Sequence, residues 1–165
     1  MILNVEAINE KAPYVVSQVP NKNFVSFKTD YGVEYLVGFD KDDLSLSSAD
    51  VYQFSIINAN NKKSPRDGKV RDTIIAVVED FFSLNNEVML YICETGDDKQ
   101  PMRSRLFEHW FDRYKKGWNI LILSTSLCDE DGVQNYAAII LRQDHPRLTE
   151  VINEFTETIK ALNSK

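Results

Sequence analysis

The stretch Val70-Arg71-Asp72-Thr73-Ile74-Ile75-Ala76-Val77-Val78-Glu79-Asp80-Phe81-Phe82-Ser83-Leu84, followed after three polar residues by Val88-Met89-Leu90-Tyr91-Ile92-Cys93, decides the fold class. In its first part Val70, Ile74, Val77, Val78, Phe81 and Phe82 recur at helical spacing and cover about half of a helix circumference. The spacing predicts a largely buried helix over about 70–84. The second part is apolar throughout, the pattern of a central strand covered on both faces.

Upstream of this pair the pattern changes to a period of two. Val33, Tyr35, Val37 and Phe39 alternate with polar or small residues, as in a half-buried strand. Tyr52, Phe54 and Ile56 repeat the alternation, and Tyr14 to Val19 and Asn23 to Thr29 are two further strands. Asp30-Tyr31-Gly32 supplies a turn, with glycine free to take positive φ. Asn58 to Gly68 is polar and predicts a mobile loop.

Downstream, Pro101 opens a second helix, where its missing N–H costs nothing, and Lys115-Lys116-Gly117 closes it. Ile120 to Leu127 reads as another buried strand. Asp129-Glu130-Asp131-Gly132 reads as a hairpin turn into a strand at Tyr136 to Leu141. A last helix starts at Asp144-His145-Pro146 and carries the stripe Leu148, Ile152, Phe155, Ile159 and Leu162. That stripe either docks on the chain's own sheet or forms a dimer seam.

Strands first and alternation later indicate an α+β fold. The expected architecture is a mixed, largely antiparallel sheet with an N-terminal strand meander and three helices. The 165 residues fit one domain, with the meander over 14–58 and the helix/strand half over 69–165. A chain of this length buries roughly 68–70% of its unfolded surface and needs no disulfide or metal staple.

The net charge of −6 argues against a dedicated duplex-DNA binder, which must neutralise many phosphates. Cys93 and Cys128 are the two cysteines, and both fall in or beside apolar runs. They read as buried reduced thiols rather than a secreted framework. The start of the chain meets Glu6 and Glu10 early and does not form a signal peptide. No apolar stretch approaches the roughly 18 residues of a membrane span. The expected compartment is the cytoplasm.

Cys93 to Phe111 carries the most chemistry. On a helix from Pro101, Leu106, Phe107, Trp110, Phe111 and Tyr114 share one apolar face, with Arg103 near its middle and Arg105 beside His109 and Asp112. Arg71 projects in the same way between Val78 and Phe82. An arginine on an apolar face must escape to solvent, stack on a ring or pair with a carboxylate. The carboxylates to hand are Glu94, Asp97 and Asp98. Arg71, Glu94, Asp97, Lys99, Gln100, Arg103, Arg105 and Trp110 therefore form one candidate cluster. It is either a structural ion-pair network or an anion pocket at a helix N-terminus.

Thr73 to Phe82, Tyr91-Ile92-Cys93, and then Lys99-Gln100, Arg103, Arg105, Phe107, Trp110 and Phe111 resemble a family of small Bacteroidetes proteins, a domain of unknown function. The likeness covers most of the chain. The family's loop carries Asp-Gly-Lys/Arg-Gln where this chain has Asp97-Asp98-Lys99-Gln100, so the glycine is replaced. The resemblance implies no activity.

Other chemistries fit less well. Asp97 and Lys99 just after a strand have the form of a metal-dependent nuclease site, with Glu79 or Glu94 as second carboxylate, but the element order suits that fold poorly. His109 and His145 lack a zinc-binding spacing, and Asp129-x-Asp131-Gly132 has too few oxygen ligands for calcium. No cofactor or metal is expected, and no catalytic residue is assigned. Two basic groups remain, one of Lys62, Lys63, Arg66, Lys69 and Arg71 and one of Lys99, Arg103, Arg105, Arg113, Lys115 and Lys116, with Tyr31, Tyr52 and Tyr114 as rings for stacking.

The reading that follows is a non-enzymatic cytoplasmic interaction or regulatory module. It binds a protein partner or a second copy of itself, and no membrane. The alternative is anion or nucleic-acid binding at the basic helix N-terminus. A Mg²⁺-dependent phosphodiesterase using Asp97 and Lys99 is the most distant third.

Overall fold

The computed structural model describes residues 1–44, 46–93, 108–112, 117–128 and 132–164. Its sheet has seven strands in the order β1-β2-β3-β4-β5-β7-β6. These are β1 (Ser17–Gln18), β2 (Phe24–Lys28), β3 (Glu34–Lys41), β4 (Val51–Asn58), β5 (Val88–Cys93), β6 (Ile120–Cys128) and β7 (Gln134–Arg142). The β4–β5 pair is parallel, and β1–β2, β2–β3, β5–β7 and β7–β6 are antiparallel. The fold is α+β with a largely antiparallel sheet and an N-terminal meander, as the patterning predicts.

The helices are α1 (Val5–Lys11), α2 (Gly68–Leu84), α3 (helical over the described residues 108–112) and α4 (Leu148–Asn163). The sequence indicated three; α1 is the addition. It is seven residues long and buries only Ile8, so it leaves no periodic stripe to read. Local chemistry makes it: the Asn4 side chain accepts the Ala7 N–H, Glu6 lies in the first turn and Lys11 in the last.

The chain divides into two compact units. The first comprises Met1–Asp40 and Phe54–Asn85. Its core stacks Phe39 on Phe81 at 4.3 Å between ring centroids, with Phe54 at 5.3 Å from Phe39 and Phe82 edge-on to Phe81. Helix α2 starts at Asp67, whose carboxylate accepts the Lys69 N–H. It ends where the Asn85 backbone and side chain both donate to the Phe81 carbonyl. Gly32 takes φ +73° in the β2–β3 turn, the role its sequence position predicts.

Strand β1 is shorter than expected. Tyr14 and Val16 are buried, but their backbone N–H groups go to the side chains of Thr73 and Asn9 instead of a neighbouring strand. Only Ser17 and Gln18 pair with β2.

The second unit comprises Lys41–Gln53 and Asn86–Lys165. Leu46, Val51, Val88, Leu90, Ile139, Leu141, Val151 and Phe155 form its core, and Leu121, Leu123, Leu148 and Ile159 pack against it. The stripe of α4 therefore docks on its own sheet. Its centre lies on Val151 and Phe155, leaving Leu162 44% exposed. The Glu154 carboxylate takes the Ser47 hydroxyl and both the N–H and hydroxyl of Ser48, which holds the loop before β4 to α4. Strand β6 is not a fully buried strand. It lies at the sheet's end, and only Ile120 is buried among its residues with described side chains. One neighbour leaves an edge strand half covered, so a run of apolar residues need not mean a central strand.

Candidate functional site

Six residues of the predicted cluster, Glu94, Asp97, Lys99, Gln100, Arg103 and Arg105, lie outside the described residues. So do most of the second helix and the turn over 129–131. The other two are described. Arg71, half-buried in the first turn of α2, donates from Nε to the Asp72 carboxylate at 2.8 Å. Trp110 is half-buried on α3, while its neighbour Phe111 is fully buried and edge-on to Trp118 at 6.0 Å. His109 is exposed, in keeping with its place on the polar side of that helix. His145 is buried, with its Nδ1 accepting the Arg147 N–H at the start of α4. Glu79, a carboxylate weighed for a metal site, is paired with Lys11 at 2.6 Å. Among the described residues no group of three or more His, Cys, Asp or Glu is placed to hold a metal ion.

Two surfaces stand out among the described residues, one in each unit. In the first unit the loop over 59–67 is tied to the β2–β3 hairpin. Ala59 N–H donates to the Glu34 carbonyl at 2.7 Å, and the Asn60 side chain accepts from Glu34 N–H and donates to the Gly32 carbonyl. Farther along, the Tyr35 hydroxyl donates to Ser64 at 2.7 Å. These bonds set Lys62 beside the turn that carries Tyr31, which is 61% exposed, and Lys63 and Arg66 follow on the same tied loop. Lys62 Nζ comes within 3.2 Å of where a Cβ on Gly32 would lie. All three cations are exposed, and none pairs with a carboxylate among the described residues.

Lys69 differs. It pairs with Asp30 at 3.0 Å and lies 5.5 Å from the centroid of the Tyr14 ring. The Tyr14 hydroxyl donates to Asp67 at 2.5 Å and accepts the Asp30 N–H at 3.2 Å. Burial and the Asp67 carboxylate push this phenol up to about 12 from an ordinary 10.0. A raised pKa means the folded state favours the neutral phenol. That contribution is complete below pH 10 and is lost as the pH rises through the folded value. Denaturation midpoints should therefore fall between pH 10 and pH 12, and Tyr14→Phe should flatten this slope. At pH 7 the same variant should lose about 1–2 kcal/mol of stability, measured by urea denaturation. No local pattern marks this contact, because Tyr14 and Asp67 are 53 residues apart.

In the second unit the surface is the free side of β6. Gln143 N–H donates to the Asn119 carbonyl at 2.8 Å, and Leu121 is registered with Leu141. In an antiparallel ladder bonded and non-bonded pairs alternate. Leu121, Leu123, Thr125 and Leu127 therefore bond to β7, and the main-chain groups of Ile120, Ile122, Ser124 and Ser126 point away from it. The outer pair of carbonyls is capped, Ile120 by Gln143 Nε2 at 3.0 Å and Ser126 by Asn163 Nδ2 at 3.4 Å. The N–H and C=O of Ile122 and Ser124 between them have no partner among the described residues. No charged residue occurs in this strand. Lysine, proline and short length are the usual protections of an edge. The opposite edge has the last of these, since β1 is two residues long.

A family model described as a family of unknown function (DUF6169) matches residues 66–157, more than half of the chain. The matched region includes α2, β5, α3, β6 and β7. No curated protein matches the chain.

Proposed function

The chain belongs to the DUF6169 family, and we propose that it is a non-enzymatic interaction module that binds a protein partner through the free edge of β6. The observation that carries this reading is the pair of backbone units at Ile122 and Ser124 without a partner among the described residues, on a nine-residue edge without charge. An added strand gains main-chain hydrogen bonds there, and alternate side chains supply specificity. The cytoplasm suits the reading, because Cys93 is a buried free thiol that donates to the Tyr91 hydroxyl at 3.0 Å. Light scattering after size exclusion, with and without host lysate proteins captured on the chain, tests it. A complex is expected with the wild type and not with Ser124→Lys, which places a charge on the edge. A wild type that remains monomeric and captures nothing at any concentration would refute it.

A second reading is favoured by Lys62, Lys63 and Arg66, which pair with no carboxylate among the described residues, on the loop tied to the turn of exposed Tyr31: binding of an anion or a nucleic acid, with cations on phosphate and the ring on a base. Separately, the sequence candidates Lys99, Arg103 and Arg105, grouped there with Arg71, Glu94, Asp97, Gln100 and Trp110, are offered as further residues for the same chemistry. Labelled RNA and DNA should bind more weakly at 200 mM than at 50 mM salt, and Lys62→Glu combined with Arg66→Glu should weaken binding about tenfold or more. Salt-independent binding, or none, would remove it.

A further inference from the structure

We infer that the partner at the β6 edge is a second copy of this chain, paired antiparallel about a twofold axis at Leu123. The inference rests on the edge-binding reading above and adds the partner's identity and register. The free backbone units sit at Ile122 and Ser124, evenly about Leu123, and the capped carbonyls at Ile120 and Ser126 are equally spaced outside them. An isologous pair requires such an arrangement, because each residue must meet its symmetry mate's counterpart. Ile122 of one copy then faces Ser124 of the other. The two residues of each such pair exchange N–H to C=O bonds, and the twofold repeats the pair, giving four bonds that satisfy the outward N–H and C=O of Ile122 and Ser124 in both copies.

The neighbouring registers are worse. Sliding one strand by a single residue opposes groups that already bond to β7. Sliding by two sets a free N–H against a carbonyl already capped by Gln143 or Asn163. The side-chain caps thus delimit the open portion of the edge to the length that self-pairing fills. Charge also permits it: two copies of a net −6 chain repel, but β6 brings no charged side chain to the contact. Ser124 and Ser126 are exposed and share a face of β6 with Ile120 and Ile122, so across the pair each small Ser124 leaves room for the Ile122 that faces it.

The test is size exclusion with light scattering on the full chain over a dilution series, joined to amide hydrogen exchange. The wild type should run at twice the 19.0 kDa chain mass. The Ile122 and Ser124 amides should exchange more slowly in the dimer than after dilution. Ser124→Pro removes one outward N–H and no bond to β7, as an edge position allows, and should weaken the dimer by about tenfold or more. Ser124→Lys should do the same, and unchanged far-ultraviolet circular dichroism in either variant secures the comparison. Wild-type chain at 19.0 kDa throughout would overturn the self-pairing. If that monomer captures another protein and Ser124→Lys abolishes capture, the edge-binding reading stands while the second copy falls. A dimer whose Ile122 and Ser124 amides stay unprotected, and which both variants leave intact, would overturn both.

Discussion

Phe155→Ala should lower the unfolding free energy by about 3–5 kcal/mol, the range for removing a fully buried ring from a packed core. Phe155 is 4% exposed and belongs to the core cluster with Val151, Ile139 and Leu141. No small side chain can refill the space, because its neighbours are held by the β7–β6 and β5–β7 ladders. The measurement is urea denaturation followed by circular dichroism. It also separates the two readings of the α4 stripe. Internal docking predicts lost stability with unchanged particle mass. A dimer seam predicts that mass falls with stability, and a Phe155→Ala chain that keeps its midpoint while dissociating would contradict the packing described for α4. The β6 edge proposal requires the first result, since it places association on a different surface of the same unit.

The periodic elements were legible in the sequence because burial forced their patterns. Helix α2 begins two residues before Val70 and ends at Leu84, as read, and β5 matches its expected span of Val88–Cys93. What escaped was structure made by single side chains. Helix α1 depends on the Asn4 cap and one buried residue, Ile8. The short β1 depends on Asn9 and Thr73 taking backbone groups that a strand would otherwise pair. Strand β6 reads as a buried strand because Ile120-Leu121-Ile122-Leu123 has no alternation to separate an edge from a centre. The signal lay in Ser124-Thr125-Ser126, where polar residues enter a strand that a second neighbour would have buried. Of the candidate site, the loop cations and Tyr31 were visible as composition, but their adjacency depends on Asn60 and Ser64 tying the loop to the hairpin. The acids expected for Arg71, namely Glu94, Asp97 and Asp98, lie outside the described residues; within them Arg71 meets the neighbouring Asp72.

Gly38→Ala is the second large effect, and its cause is invisible to patterning, which registers only a small residue between Val37 and Phe39. Gly38 lies opposite Phe24 in the β2–β3 register. A Cβ there would come within 2.3 Å of the Asn23 carbonyl oxygen, 2.5 Å of Phe24 Cγ and 2.6 Å of Phe24 Cα. Two of these three atoms are backbone, and the Asn23 carbonyl is already fixed by the Phe39 N–H at 3.0 Å. The strand pair must separate, which strains the ladder that carries Phe39 into the aromatic core. The expected loss is about 3 kcal/mol, the upper part of the usual overpacking range. Rescue distinguishes backbone from side-chain conflict. If the Phe24 ring were the whole obstacle, Phe24→Ala would restore room for the methyl, and the double variant would be more stable than either single change suggests. Because main-chain atoms remain in the way, the double variant should be at least as unstable as Gly38→Ala alone. A double variant more stable than Gly38→Ala would place the obstacle in the ring and leave the β2–β3 backbone free to accept a side chain at position 38.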